Sequence, residues 1–276
     1  MDRLSRPCAR AALWIACLAS LAPRAAPAWG PDGHRIIGEI AWRELTPASR
    51  RALRDLLPAG RYATLAEASV WADTEARRIP GDRWLEPYHF VDTDPTARHV
   101  DAPDDCTCVL AGIARFGREL RASDPYRERV VALRLLAHFV GDVHQPLHVT
   151  GMDGHGGTRI HVVFLGRRQT LHQVWDSGLI ERQLGRRRPQ SWARELSRSI
   201  SDAERSRWTA DLDPRAWADE SLALARRHTF RIRDGARLGD DYYEREIPVV
   251  AERLQRAGVR LGALLNEIFD PVRSMH

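Results

Sequence analysis

The chain has 276 residues, 43% of them apolar and 29% charged, with a formal charge of +5. That length buries a full core and excludes more than one or two domains, so a single globular domain is expected. Every basic residue is Arg and none is Lys, which reads as genome composition rather than as a phosphate-binding strategy.

Arg3, Arg6 and Arg10 form a basic leader, "AALWIACLASLA" (11–22) a short apolar run, and Ala26-Pro27-Ala28 a small-residue cleavage signal. The apolar run is shorter than the ~20 residues a bilayer span needs, so residues 1–28 read as a signal peptide rather than a membrane anchor. Ile15-Ala16-Cys17 loosely resembles a lipoprotein signal, but Trp14 suits that cut poorly. The expected product is a secreted or periplasmic domain spanning 29–276, a monomer starting at Trp29. Its charge falls to about +2 once four Arg and one Asp are removed, so the basic balance says little about partners. Cys8 and Cys17 leave with the leader. Cys106 and Cys108 remain, able to close a strained bridge or to offer two soft metal ligands, but unable to staple a fold.

After Trp29 the pattern is mostly helical. Apolar residues at three- and four-residue spacing predict helices over 33–45 and 47–57, the second bracketed by Pro47 and Pro58, and a further one over 62–78. From Pro80 to Asp105 prolines and aspartates replace periodicity, predicting a long loop of the kind that carries sites. A helix is predicted over 109–122, and Ser123-Asp124-Pro125 is a start signal for "YRERVVALRLLAHFVGDVH". Alternating Ile160, Val162 and Phe164 with a turn near Gly166-Arg167 predict a small hairpin. Helical spacing resumes at "QVWDSGLIERQL" and continues over 190–204, 214–229 and 242–268.

The chemistry-bearing residues sit at the ends of these elements. "AHFVGDVHQPLH" (137–148) places three histidines and an aspartate within twelve positions. His138 and Asp142, four apart, share a helix face, and Pro146 ends the helix and turns His148 back toward it. The same spacing recurs at His172 and Asp176. Imidazole nitrogen with carboxylate oxygen is a ligand set that Zn²⁺ accepts, and two separate pairs point to more than one ion. Asp73 in "SVWADTEA" and His89 and Asp92 in "EPYHFVD" read individually as structural residues; beside the two pairs they add a carboxylate and an imidazole to a cluster. A new N-terminus at "WGPDGH" offers the Trp29 amine and carbonyl as a chelating pair, with His34 close by.

In their order, "WGPDGH", "VWAD", "YHFVD", "HFVGDVHQPLH", "LHQVWD", "WADESLALA" and "IPVVAERLQRAGVRLGALLN" resemble the S1/P1 nuclease family, three-zinc enzymes specific for single strands, along essentially the whole mature chain. The resemblance implies an all-α fold shared with bacterial phospholipase C, here with one small β-hairpin. It implies a first zinc on Asp73, His89, His138 and Asp142, and a second on His148, His172 and Asp176. A third would take the Trp29 amine and carbonyl, His34 and a bridging Asp142. It further implies Phe90 as a base-stacking residue, Asp92 as a base contact, and cleavage of single-stranded DNA and RNA to 5′-phosphate ends, with 3′-nucleotidase activity on nucleotides. Asp73, beside the reacting oxygen, is the candidate for proton handling. Zinc suits such a reaction, since paired ions about 3.5 to 4 Å apart activate water and neutralise phosphate charge.

The chain departs from the family pattern at three places. Ala76 stands where a basic residue is usual, with Arg77 one position on; Thr158 follows Gly156-Gly157; and Thr170 precedes Leu171-His172. His144 matches no ligand and reads as a neighbour of the metals or a surface residue. The rival readings are a zinc phospholipase C on the same scaffold, and a non-enzymatic zinc- or nucleic-acid-binding protein. Asp176, where the phospholipases tend to carry Glu, weighs against the first, and the near-neutral mature charge against backbone-driven binding.

Overall fold

The computed structural model describes residues 29–57, 61–79, 82–122, 126–154 and 156–271. The leader (1–28) and the Ser123-Asp124-Pro125 start signal lie outside them. The centre is helix α6 (Tyr126–Val143), in which every residue from Ala132 to Val143 except Arg134 is buried. A helix covered all round must be enclosed by others. α1 (Pro31–Glu44), α5 (Val109–Arg121), α11 (Pro214–His228) and α12 (Asp240–Phe269) all pack on it. α1 also crosses α12 closely, because Gly258 and Gly262 face it: a Cβ on Gly258 would stand 2.5 Å from Ile40 Cβ. α2 (Pro47–Leu56) begins with the Thr46 hydroxyl accepting from the Ser49 amide and Pro47 in the first turn.

The expected helix over 62–78 is broken into α3 (Leu65–Ala68), α4 (Trp71–Thr74) and a 3-10 turn, Ala76–Arg78. The break falls at buried Ser69, whose hydroxyl donates to the His34 and Ala66 carbonyls and whose own carbonyl accepts from His138 Nδ1 at 2.8 Å. The Ser69 carbonyl given to His138 is lost to a continuous helix. The expected loop from 80 to 105 contains a 3-10 helix, Asp82–His89, before becoming irregular. The 173–184 segment is α7 (Leu171–Gln173), a π-helical turn (Val174–Gly178) and α8 (Leu179–Leu184). The 190–204 segment is two helices, α9 (Pro189–Ser199) and α10 (Asp202–Thr209), because Ser201 and Glu204 form a reciprocal cap that starts the second.

The hairpin forms as β1 (His161–Phe164) and β2 (Arg167–Thr170). Its turn is Leu165-Gly166, both at positive φ, one residue earlier than the sequence suggests. A third strand, β3 (Arg237–Leu238), adds parallel to β1 on the other side. Two residues carry no period, so this strand is silent in the sequence. Cys106 and Cys108 are joined to each other, which removes them as metal ligands.

The motif "WADESLALA" supplies Glu220 and Ser221, and the long C-terminal motif supplies Arg253, Arg256 and Arg260. Glu220 pairs with all three arginines at 2.7 to 3.0 Å. Arg253 Nε also donates to the His144 carbonyl and Arg260 Nη1 meets His144 Nε2. His144 is fully buried, so its surface reading is wrong. It is a structural link between the end of α6 and α12. Burial works to raise the Glu220 carboxyl, but the hydrogen bond from Arg260 and the charges of Arg253 and Arg260 outweigh it and hold the group far below the usual range. Burial pushes Arg253 down to about 10 against the pull of Glu220. A depressed carboxylate stabilises the fold above its unfolded pKa and loses that contribution as pH falls toward the folded value. Glu220→Gln is expected to lower the unfolding free energy by about 3 kcal/mol at neutral pH, since it strands buried Arg253. Urea denaturation checks this, and the gap between wild type and variant should shrink below about pH 4.

Candidate metal centre

Three elements, α1, α4 and the 3-10 segment ending at His89, converge on the C-terminal end of α6. Asp142, with no solvent exposure, holds the middle: Oδ1 faces His34 Nε2 at 3.3 Å, and Oδ2 faces His89 Nδ1 at 3.0 Å and His138 Nε2 at 3.4 Å. His34 comes from the second turn of α1 and stacks on His138 with ring centroids 3.9 Å apart. This approach needs Gly141, where a Cβ would stand 2.8 Å from His34 Nδ1. Asp73, from α4, places Oδ2 3.7 Å from His138 Nε2, and Arg77 Nη2 lies 2.7 Å from its Oδ1.

A second group lies where the chain leaves α6. His148 is carried on a 3-10 turn, Pro146–Val149, while His172 and Asp176 come from α7 and the π-helical turn. His148 Nε2 is 3.1 Å from His172 Nε2, and His172 Nε2 is 3.2 Å from Asp176 Oδ2. Among the described residues three trios have donor atoms mutually close enough for one ion: His34, Asp73 and His138; His89, His138 and Asp142; and His148, His172 and Asp176.

The donor set fits cations. His138, His148 and His172 each turn Nδ1 to a backbone carbonyl, of Ser69, His89 and Gly156, at 2.7 to 2.8 Å. That contact needs an N–H on Nδ1, which leaves the Nε2 lone pairs directed into the cluster. Two such lone pairs 3.1 Å apart, on His148 and His172, repel unless positive charge lies between them. Burial drives His34, His89 and His148 well below the ordinary imidazole value, and His172 down to about 4. Burial likewise drives Asp142 and Asp176 up, reinforced by the charge of Asp73. Neutral imidazoles cannot compensate these carboxylates. Both His34 nitrogens, Asp142 Oδ1 and Asp176 Oδ2 are buried without a hydrogen-bond partner among the described residues. Bound cations satisfy all of these groups together.

Each sequence-predicted ligand side chain therefore falls in or against this cluster. Trp29 is fully buried beside it, since the Gly30 amide donates to the Asp176 carbonyl at 2.7 Å. Phe90 is half-buried and Asp92 exposed, on the segment that leaves His89. Sequence reasoning missed Gln145. Fully buried, it donates from Nε2 to Asp176 Oδ1 at 2.5 Å and accepts from the Leu147 amide at 2.6 Å, so it ties the His148 turn to the other half of its trio. Its place between His144 and Pro146 was visible; its partner, 31 residues away, was not.

A mainly helical domain enclosing such clusters defines a protein built around metal ions at the end of a buried helix. The S1/P1 Nuclease family profile matches residues 29–270, and the chain belongs to that family. It is 31% identical over 269 residues to Endonuclease 4 of Arabidopsis thaliana, covering 88% of this chain and 89% of that protein. Endonuclease 3 of the same plant is 30% identical, over 95% and 97% of the two chains. Nuclease P1 of Penicillium citrinum is 29% identical, over 87% and 97%. The protein is thus a nuclease, a hydrolase of phosphodiester bonds, and the phospholipase and non-enzymatic readings fall away.

Gln145→Ala is expected to weaken metal binding at the His148 group about 10- to 100-fold, measured by chelator competition, with the other groups less affected. Because depressed imidazoles stay neutral further into acid, metal should be retained below the ordinary histidine range and lost as pH approaches the His172 value of about 4. Metal content after dialysis across that range checks the sign.

Proposed function

We propose that the chain is a zinc-dependent endonuclease specific for single-stranded DNA and RNA, leaving 5′-phosphate ends and also removing 3′-phosphate from nucleotides. It is exported through residues 1–28 and begins at Trp29 when mature. Among the described residues no helix is long and apolar enough to cross a membrane. The observation that carries the reading is the sharing of Asp142, whose two oxygens face imidazoles from different elements.

In this reading Asp73, His89, His138 and Asp142 hold one zinc, and His148, His172 and Asp176 a second. Trp29, through its amine and carbonyl, holds a third with His34 and Asp142. Bound zinc supplies Lewis acidity toward phosphate and lowers the pKa of water to near neutrality. Asp73, at the rim of the cluster, accepts a hydrogen bond and then a proton from the attacking water. Arg77 supplies the positive charge that the family pattern puts one residue earlier. Ala76 is buried in the core, whereas the Arg77 guanidinium lies at Asp73 and its charge acts on His89, Asp142, His148 and Asp176. Phe90 stacks a base next to the cluster and Asp92 contacts its polar edge; both require bases free of a duplex.

Metal analysis of the exported, N-terminally sequenced protein tests this: three zinc per chain starting at Trp29, with activity on single strands far above that on duplexes. A chain retaining Ala28 is expected to lose one zinc equivalent and most activity; full activity would overturn the Trp29 assignment. Arg77→Ala should lower kcat/KM about 100-fold with zinc content unchanged, in a steady-state assay paired with metal analysis.

A further inference from the structure

The outer face of the small sheet carries a cationic pair that the metal centre does not use. Val163 of β1 is opposed by Arg168 of β2 on one side and by Arg237 of β3 on the other. Residues directly opposite share a face. The alternation buries Val162, Phe164 and Leu238 beneath the sheet and leaves both arginines exposed above it. Neither side chain has a hydrogen bond, ion pair or ring contact among the described residues. Asp234, three residues before Arg237, already faces His161 through its backbone amide at 2.7 Å and its ring at 3.5 Å. Charge on an edge strand discourages self-association, but that purpose does not call for two like charges flanking one small apolar residue across three strands.

One strand of the sheet leads into the metal centre. β2 runs straight into α7, and His172 follows Arg168 by four residues, so their Cα atoms lie at most about 14 Å apart. A strand of a few nucleotides spans that distance.

We propose that Arg168 and Arg237 form a backbone-tracking surface that binds phosphates of a single-stranded nucleic acid beyond the nucleotides at the metals, with Val163 as the apolar floor between them. The proposal rests on the single-strand nuclease reading above. The two guanidiniums are spaced along one face, carry no internal counter-charge and offer planar donors suited to phosphate oxygens. They add affinity only for substrates long enough to reach them.

The test compares steady-state kinetics of the zinc-loaded protein on a dinucleotide and on an oligodeoxythymidylate of about 20 nucleotides. Arg168→Gln/Arg237→Gln should raise KM for the long substrate roughly tenfold more than for the dinucleotide. It should also reduce the steepness of log(kcat/KM) against log[salt] on the long substrate by about 1.4, from about 0.7 per phosphate contact. Arg194→Gln, at an exposed position of α9, reports the effect of charge alone and should leave both substrates alike. Equal changes on the two substrates, an unchanged salt slope, or a matching loss in Arg194→Gln would overturn the proposal. A wild-type protein that cleaves neither substrate overturns the nuclease-site reading and this surface with it. Cleavage of both with no selective loss in the double variant overturns the surface alone.

Discussion

The architecture depends on one buried carboxylate. Asp142 sits on a helix face with no access to water, where ionisation is opposed by burial and by the nearby charges of Asp73 and Asp176. The imidazoles around it are buried as well and resist protonation, so no histidine in the cluster supplies the missing positive charge, and Arg77 at Asp73 offsets the burial of Asp142 only in part. A site of this composition belongs to a fold completed by cations, and metal binding and folding are then one equilibrium. The arrangement of α1 and the 3-10 segment ending at His89 against α6 follows from the need to bring imidazoles to both oxygens of a single carboxylate.

Irregular backbone is what aims those donors. The carbonyls of Ser69, His89 and Gly156 each hold the Nδ1 of a histidine, and each lies where regular structure ends. Inside a helix each carbonyl is already engaged by the ladder, whereas a break leaves carbonyls whose main partner is a side chain. The broken helix over 62–78 and the π-helical turn at 174–178 are thus part of the site's construction, consistent with the tendency of π-turns to occur at functional positions. Gln145 extends the same economy by serving a carboxylate and a backbone amide with one amide group.

A second polar network stabilises the far side of the same helix end. Glu220 gathers Arg253, Arg256 and Arg260, and through His144 anchors the turn that precedes His148. Two sequence motifs with no ligand in them find their purpose here. They tie α11 and α12 to His144, the residue that follows α6 and lies between the Asp142 and His148 groups.

Much was determined by the sequence alone. The three- and four-residue spacing gave the main helices, because burial of one face imposes that period locally. The His-xxx-Asp pairs at 138/142 and 172/176 gave the metal-binding character, because residues four apart must share a face. What only the tertiary structure decided depends on partners distant in the chain. His34 meets Asp142 because Gly141 lets α1 approach; the helix over 62–78 breaks because Ser69 serves His34 and His138; β3 pairs because β1 offers an edge; and Gln145 and His144 take their roles from residues 31 and 109 to 116 positions away. Local periodicity encodes which face of an element is covered. It carries no record of what covers it, and in this protein the covering groups complete the site.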